Sequence, residues 1–271
     1  MKLVITLGVM MHKKRYKNVL ATAVIVGLFA GTSQTFAANP DDPYEPFNRV
    51  MFRFNDTLDR FVLKPIATLY NKITPKPLAA GLTNFYNNVD TIPTIINDIL
   101  QGNFKQTTND VWRFAINTTV GVGGLFDVAS RVGLDPNLED FGLTLAHWGY
   151  RKSNYLVLPF IGPSTVRDGI AMPVNYYFMT PYPLIYPQRA RYAWYAGGVL
   201  VRRADLLRYE GFMQQVAIDK YVFMRDAYMQ HRNFLIERNK VPYAEKSKPN
   251  DVALDKKETQ AEVQTKPFVN I

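Results

Sequence analysis

The sequence of 271 residues contains no cysteine. That absence removes disulfides, thiol nucleophiles and thiolate-bound metals at once. It also removes the acylated cysteine on which a lipoprotein anchor is built. Histidine is scarce: of three in the chain, only His147 and His231 fall beyond residue 37. Neither stands in a His-Glu-x-x-His zinc pattern, and no Gly-x-Ser-x-Gly elbow offers an activated serine. Ser164, within Gly162-Pro163-Ser164-Thr165, comes nearest to a nucleophile. The helical pattern after it favours a helix cap instead. Glu139-Asp140 and Arg167-Asp168 are adjacent charges that read as structural or solvated groups. The expectation is a protein with no enzymatic chemistry, no metal and no cofactor.

Long apolar runs are missing as well. Beyond residue 37 no stretch approaches the roughly 18 to 20 apolar residues of a spanning helix. Nor is there the repeated apolar–polar alternation of a membrane barrel. Contact with lipid would therefore be interfacial, through amphipathic helices lying in a membrane surface.

The first 37 residues differ from the rest. His12, Lys13, Lys14, Arg15 and Lys17 form a basic block, Leu20 to Ala30 is mostly apolar, and small and polar residues run to Thr35-Phe36-Ala37-Ala38. That order is a secretory signal peptide, with the cut expected after Ala37. Removing it takes five basic residues and no acidic ones, leaving 27 Lys and Arg against 23 Asp and Glu, a balance of +4 in place of +9. No strongly basic nucleic-acid binder remains. The expected organisation is a signal peptide at 1–37, one helical domain at 38–242 and a polar, disordered tail at 243–271, where acidic and basic groups mix with Lys, Gln, Thr and Pro.

Within the domain, Phe47, Val50, Met51, Phe54, Leu58, Phe61 and Val62 recur at three- and four-residue steps, the stripe of an amphipathic helix. Pro65 is expected to break or bend it. Residues 66–101 read as further helix interrupted at Pro75, Pro77 and Pro93, and 104–117 as another helix. Gly121-Val122-Gly123-Gly124-Leu125-Phe126 lacks the Lys-Ser/Thr that completes a phosphate loop, so its glycines suit close packing or a bend. Residues 155–162 are the most strand-like, but Pro159 and Pro163 reduce them to an extended loop or a lone edge. A last long helix is expected from about Met213 to Asn239. Tyr176, Tyr177, Tyr182, Tyr186 and Trp194 crowd a proline-rich stretch. Such aromatics fit a membrane interface and ordinary packing equally well.

Taken in order, several segments resemble the VacJ/MlaA family. Asp42-Pro43-Tyr44-Glu45-Pro46-Phe47-Asn48-Arg49, Met51-Phe52 and Phe54-Asn55 resemble its opening signature. Lys64-Pro65, Asn84-Phe85, Leu100-Gln101-Gly102, Arg113-Phe114, the glycine stretch through Asp127, Glu139-Asp140-Phe141-Gly142, Tyr155-Leu156-Val157-Leu158-Pro159 and Arg167-Asp168 continue the likeness over roughly residues 41–240. The resemblance implies an all-α, compact, ring-like domain with amphipathic interfacial helices, seated on the periplasmic side of an outer membrane. It implies removal of misplaced phospholipid from the outer leaflet through an amphipathic channel, with trimeric porin and a soluble periplasmic lipid carrier as partners. The lack of cysteine departs from the lipoproteins typical of the family. Attachment would then rest on helices, aromatic residues or a porin, or the protein would be partly soluble in the periplasm. On this reading Phe47, Asn48, Phe54 and Phe61 belong to the membrane face or channel, and Gly121, Gly123, Gly124, Leu125 and Phe126 form a wall near it. Plain core packing accounts for any one of these residues as well. A structural, porin-binding envelope protein and a lipid hydrolase are the alternatives.

Overall fold

The computed structural model describes residues 42–239. The expected signal peptide and polar tail lie outside the described residues. Residues 44–239 form one body.

Helix α1 (Glu45–Leu58) carries Pro46 in its first turn, where a missing N–H costs nothing. Pro65 does not break the path that follows. The backbone widens into a π turn, Asp59–Leu63, with the Lys64 N–H donating to Asp59 O, and α2 (Lys64–Ile73) continues from it. The proline falls where the hydrogen-bond register changes, so its absent donor is accommodated at the junction. Helix α3 (Lys76–Leu100) likewise runs through Pro93. Pro93 is buried, and side chains tie the turn around it: Thr94 Oγ1 donates to Asp90 O (3.0 Å) and Asn97 Nδ2 to Pro93 O (2.8 Å). Packing overrides local propensity here, and only Thr74-Pro75 interrupts the helical course.

Helix α4 (Phe104–Thr119) is capped by Asn103 and packs along α3. The glycine stretch after it is a tight turn. A Cβ on Gly121 would lie 2.3 Å from Phe126 O, and one on Gly124, at φ 91°, would lie 2.7 Å from Asn88. Helix α5 (Phe141–His147) is capped by Asp140, which accepts from the Leu143 N–H at 2.9 Å. The strand-like segment is half of a hairpin, a correction to the expected loop or lone edge. Strand β1 (Tyr155–Leu158) pairs antiparallel with β2 (Gly162–Thr165), Val157 opposite Pro163. In a two-stranded ribbon both strands are edges, which is where proline is tolerated. The cap of α6 (Val166–Val174) is Thr165, whose Oγ1 accepts from the Asp168 N–H at 3.1 Å. Ser164 is buried beside it and donates to Thr165 O. The expected single last helix is two, α7 (Gln188–Val216) and α8 (Lys220–Arg238). Asp219 starts the second by accepting from the N–H groups of Tyr221 and Val222 at 2.9 and 3.3 Å.

Helices dominate and the all-α expectation stands, with the hairpin as its exception. Among the described residues, no helix is long and apolar enough to cross a membrane.

Among the described residues, burial is mixed: polar and charged side chains share the interior with apolar ones, and many large apolar side chains lie outside. The buried residue of α1 is Asn48, and those of α4 are Asp110, Arg113 and Asn117. Outside lie Val50 and Phe54 of α1, Phe61 (73% exposed), Val62, Ile66, Leu69 and Ile73, then Phe104 (69%), Val111 and Trp112. Buried polar groups cost free energy unless hydrogen-bonded, and several here are bonded to distant parts of the chain. Asn48 Nδ2 donates to Tyr155 O at 3.1 Å, while its Oδ1 accepts from the Val157 N–H at 2.8 Å. Thr144 Oγ1 donates to Asn97 Oδ1 at 2.7 Å, and Asn117 Oδ1 accepts from the Ala129 N–H at 2.9 Å. The apolar cluster of Tyr155, Val157 and Tyr221, with Met51, Phe52 and Tyr228 against it, is small by comparison.

Candidate functional site

A cavity of about 450 Å3 opens among the polar interior faces. Asp90, Pro93 and Thr94 of α3 line it, as do Leu138, Glu139 and Asp140 before α5 and Ile161 at the hairpin tip. Met172, Asn175, Tyr176, Thr180 and Tyr182 follow, then Tyr195 and Arg202 of α7 and His231, Arg232 and Leu235 of α8.

Two arginines organise the walls. Arg232 is 7% exposed and grips Asp140 with both terminal nitrogens (2.6 and 3.1 Å) and Asp168 with one of them (2.7 Å). Asp168 also accepts from Tyr228 OH at 3.0 Å and Arg167 Nε at 3.0 Å. Burial pushes the Asp140 carboxyl up, but the Arg232 guanidinium outweighs it and holds that carboxyl below its usual range. The same pairing raises Arg232 against its own desolvation, so it stays charged. Across the cavity Arg202 pairs with Asp90 and hydrogen-bonds Tyr182. Burial there raises Asp90 in spite of the arginine. Glu139 is held by Arg238, Asn239 and Gln101, each at 2.9 Å. The cavity is therefore lined by both charged and apolar groups, with its charges largely compensated in place. No group of His, Cys, Asp and Glu that could hold a metal ion occurs among the described residues.

The residues expected from sequence divide among several places. Tyr176 and Tyr182 line the cavity and stack on each other, ring centroids 6.3 Å apart at 12°. Trp194 packs inward on Phe85 and Tyr86 (5.1 and 6.1 Å), whereas Tyr177 and Tyr186 are exposed. Phe47 is half-buried, Phe54 and Phe61 face outward, and Asn48 ties α1 to β1 from within. The turn of Gly121, Gly123, Gly124, Leu125 and Phe126 does not line this cavity: Gly124 abuts Asn88, Leu125 O accepts from Asn84 Nδ2 at 3.2 Å, and Phe126 is exposed. Sequence reasoning missed Asp90, Asn175, Arg202 and Arg232. They come from separate helices and share no spacing. Their one trace is the imperfect apolar stripe of the last helix, where Arg232 takes a buried position.

Residues 40–235 match the family described as MlaA lipoprotein. The chain belongs to the MlaA family. The matched span takes in α1 and most of α8, so the MlaA-like part holds both the cavity and the outward apolar residues. Among relatives, the intermembrane phospholipid transport system lipoprotein MlaA of Escherichia coli (strain K12) is 32% identical over 250 residues, covering 90% of this chain and 96% of its own. Its Haemophilus influenzae namesake is 31% identical, covering 89% and 98%. An uncharacterised protein of Rickettsia prowazekii is 39% identical over 197 residues, or 72% of this chain and 78% of its own. A solved structure, reported as the structural basis for maintenance of bacterial outer membrane lipid asymmetry, superposes with a TM-score of 0.61 at 33% identity. It covers 72% of this chain and 98% of that one.

Proposed function

We propose that this protein transports phospholipid at the outer membrane, taking lipid misplaced in the outer leaflet and passing it inward to a soluble periplasmic carrier. The observation that carries the reading is the set of exposed apolar side chains on α1, α2 and α4 together with a cavity of about 450 Å3 lined by paired charges. A protein in water would lose by this arrangement. One embedded in a leaflet gains by it, because each exposed Phe or Leu that enters hydrocarbon contributes about 1.5 to 3 kcal/mol. The cavity answers the opposite need. A phospholipid headgroup crossing hydrocarbon unpaired meets a barrier of several kcal/mol or more, which paired charges and tyrosine hydroxyls lower.

On this reading Phe54, Phe61, Ile66 and Leu69 seat the helices in the leaflet, with Tyr177 and Tyr186 near the headgroups. The polar cavity serves as the headgroup passage. A trimeric porin beside the helices and a periplasmic carrier below complete the path, and no bond is made or broken. The names of the Escherichia coli and Haemophilus influenzae relatives support transport as the activity. The test is purified protein with vesicles of labelled phosphatidylethanolamine and phosphatidylglycerol and a soluble lipid acceptor. Transfer of intact lipid supports the proposal. Cleaved lipid would point to a hydrolase, and neither outcome would leave a structural envelope protein as the better reading.

A further inference from the structure

A second cavity, of about 350 Å3, shares Ile161 at the hairpin tip with the first as a lining residue. Its lining is more apolar than that of the first, although Asp56, Asp59, Arg203, Glu210 and Lys220 also border it. The walls are Phe52, Leu58, Leu63, Val157, Leu206 and Met224. The charges at its border satisfy one another: Arg203 holds Asp59 at 2.6 and 2.7 Å, and Lys64 donates to Glu210 at 2.7 Å. We propose that this cavity receives the acyl chains of the phospholipid whose headgroup occupies the polar cavity, and that Ile161 is the partition between them. The proposal rests on the transport reading and gives it a site for the tails.

Two observations and one physical argument support it. A diacyl lipid has one polar and one apolar end joined covalently, so a site for it needs unlike compartments side by side, and Ile161 lines both of these. Tails left in water while the headgroup sits in the polar cavity would be unfavourable in proportion to their exposed area. The hairpin tip is also held in place against strain. Phe160 sits at φ 66°, a left-handed conformation that a bulky residue rarely adopts. Asn55 of α1 fixes it there, Nδ2 donating to Leu158 O at 2.9 Å and Oδ1 accepting from the Phe160 N–H at 2.8 Å. The Phe160 ring meets Phe54 edge-on at 5.1 Å. The turn that carries Ile161 is thus tied to α1 through its neighbour Phe160.

The experiment uses two photoreactive phospholipids, one with a diazirine near the end of an acyl chain and one with it on the headgroup. Each is carried in vesicles of phosphatidylethanolamine and phosphatidylglycerol with the whole protein, and crosslinks are mapped by mass spectrometry. The acyl probe is expected on Leu206 and Met224, the headgroup probe on Tyr176 and Asn175. Ile161 is half-exposed, so Ile161→Trp folds, and it should cut acyl labelling of Met224 by about tenfold while Phe61 and Leu69 stay labelled. Leu206→Trp, which fills the apolar cavity from a helix face, should do the same. Acyl labels confined to Phe61, Ile66 and Leu69, with headgroup labels still inside, would overturn the acyl site and leave the transport reading intact. No interior label from either probe would overturn both. Unchanged Met224 labelling in Ile161→Trp would remove the partition role.

Discussion

Replacing Arg232 with methionine puts the polar interior to a quantitative test. The guanidinium holds Asp140 and Asp168 by three contacts between 2.6 and 3.1 Å. Removing one member of a buried ion pair typically costs about 3 to 5 kcal/mol, because the remaining charge stays unpaired. Two features place this case at the low end. The Asp140 side chain is 41% exposed and regains water, and Asp168 keeps Arg167 and Tyr228 as partners. The expected loss is therefore about 3 kcal/mol. It should appear as a lower urea midpoint at unchanged slope, followed by circular dichroism in mild detergent. Adding Asp140→Asn to Arg232→Met removes the carboxylate left without its counter-charge, while Asp168 stays paired with Arg167, and should recover about 1 kcal/mol or more, the coupling expected of residues in one network. A loss below about 1 kcal/mol, or a double variant no more stable than the single one, would show that the network is solvated and would refute the argument.

Three further outcomes follow from the same interior and surface. Asp98 is buried and hydrogen-bonds Asp110, and burial with that like-charged neighbour pushes its pKa up to about 9. The folded state thus holds a proton that the unfolded chain releases near pH 4, so stability falls as pH rises from about 4 towards 9. Asp98→Asn should flatten that decline in urea titrations at several pH values, and an unchanged slope would rule the assignment out. Phe61→Glu should leave the circular dichroism spectrum intact and weaken retention on vesicles through carbonate washing, since it puts a charge where about 1.5 to 3 kcal/mol of apolar burial is expected. Gly123 and Gly124 both have positive φ, but only a Cβ on Gly124 meets neighbouring atoms. Gly123→Ala should therefore cost about 1 to 2 kcal/mol, and Gly124→Ala distinctly more, compared by thermal melts.

Much of the architecture was legible from the chain. The stripe from Phe47 to Val62 specified a helix, and the resemblance specified the family. Absent cysteine and catalytic motifs narrowed the chemistry before any coordinates. The prolines were misleading. A residue-by-residue rule stops helices at Pro65 and Pro93, but a π turn absorbs the first and packing of α3 on α4 retains the second. The hairpin was hidden for the same reason: pairing of Val157 with Pro163 is a long-range choice that neither strand encodes alone.

Sequence alone determined that the helices are amphipathic. It could not determine which side faces inward, because the periodicity that places Phe54 and Phe61 on one stripe is the same for a core and for a lipid-facing surface. Tertiary structure decided that, by burying Asn48, Asp110 and Arg113 with their partners and leaving the aromatics outside. It also assembled Asp90, Arg202 and Arg232 from three separate helices around one cavity. The physical reason is that a buried charge is tolerable only beside its counter-charge, and that counter-charge lies far away in sequence: 112 residues separate Arg202 from Asp90, and 92 separate Arg232 from Asp140.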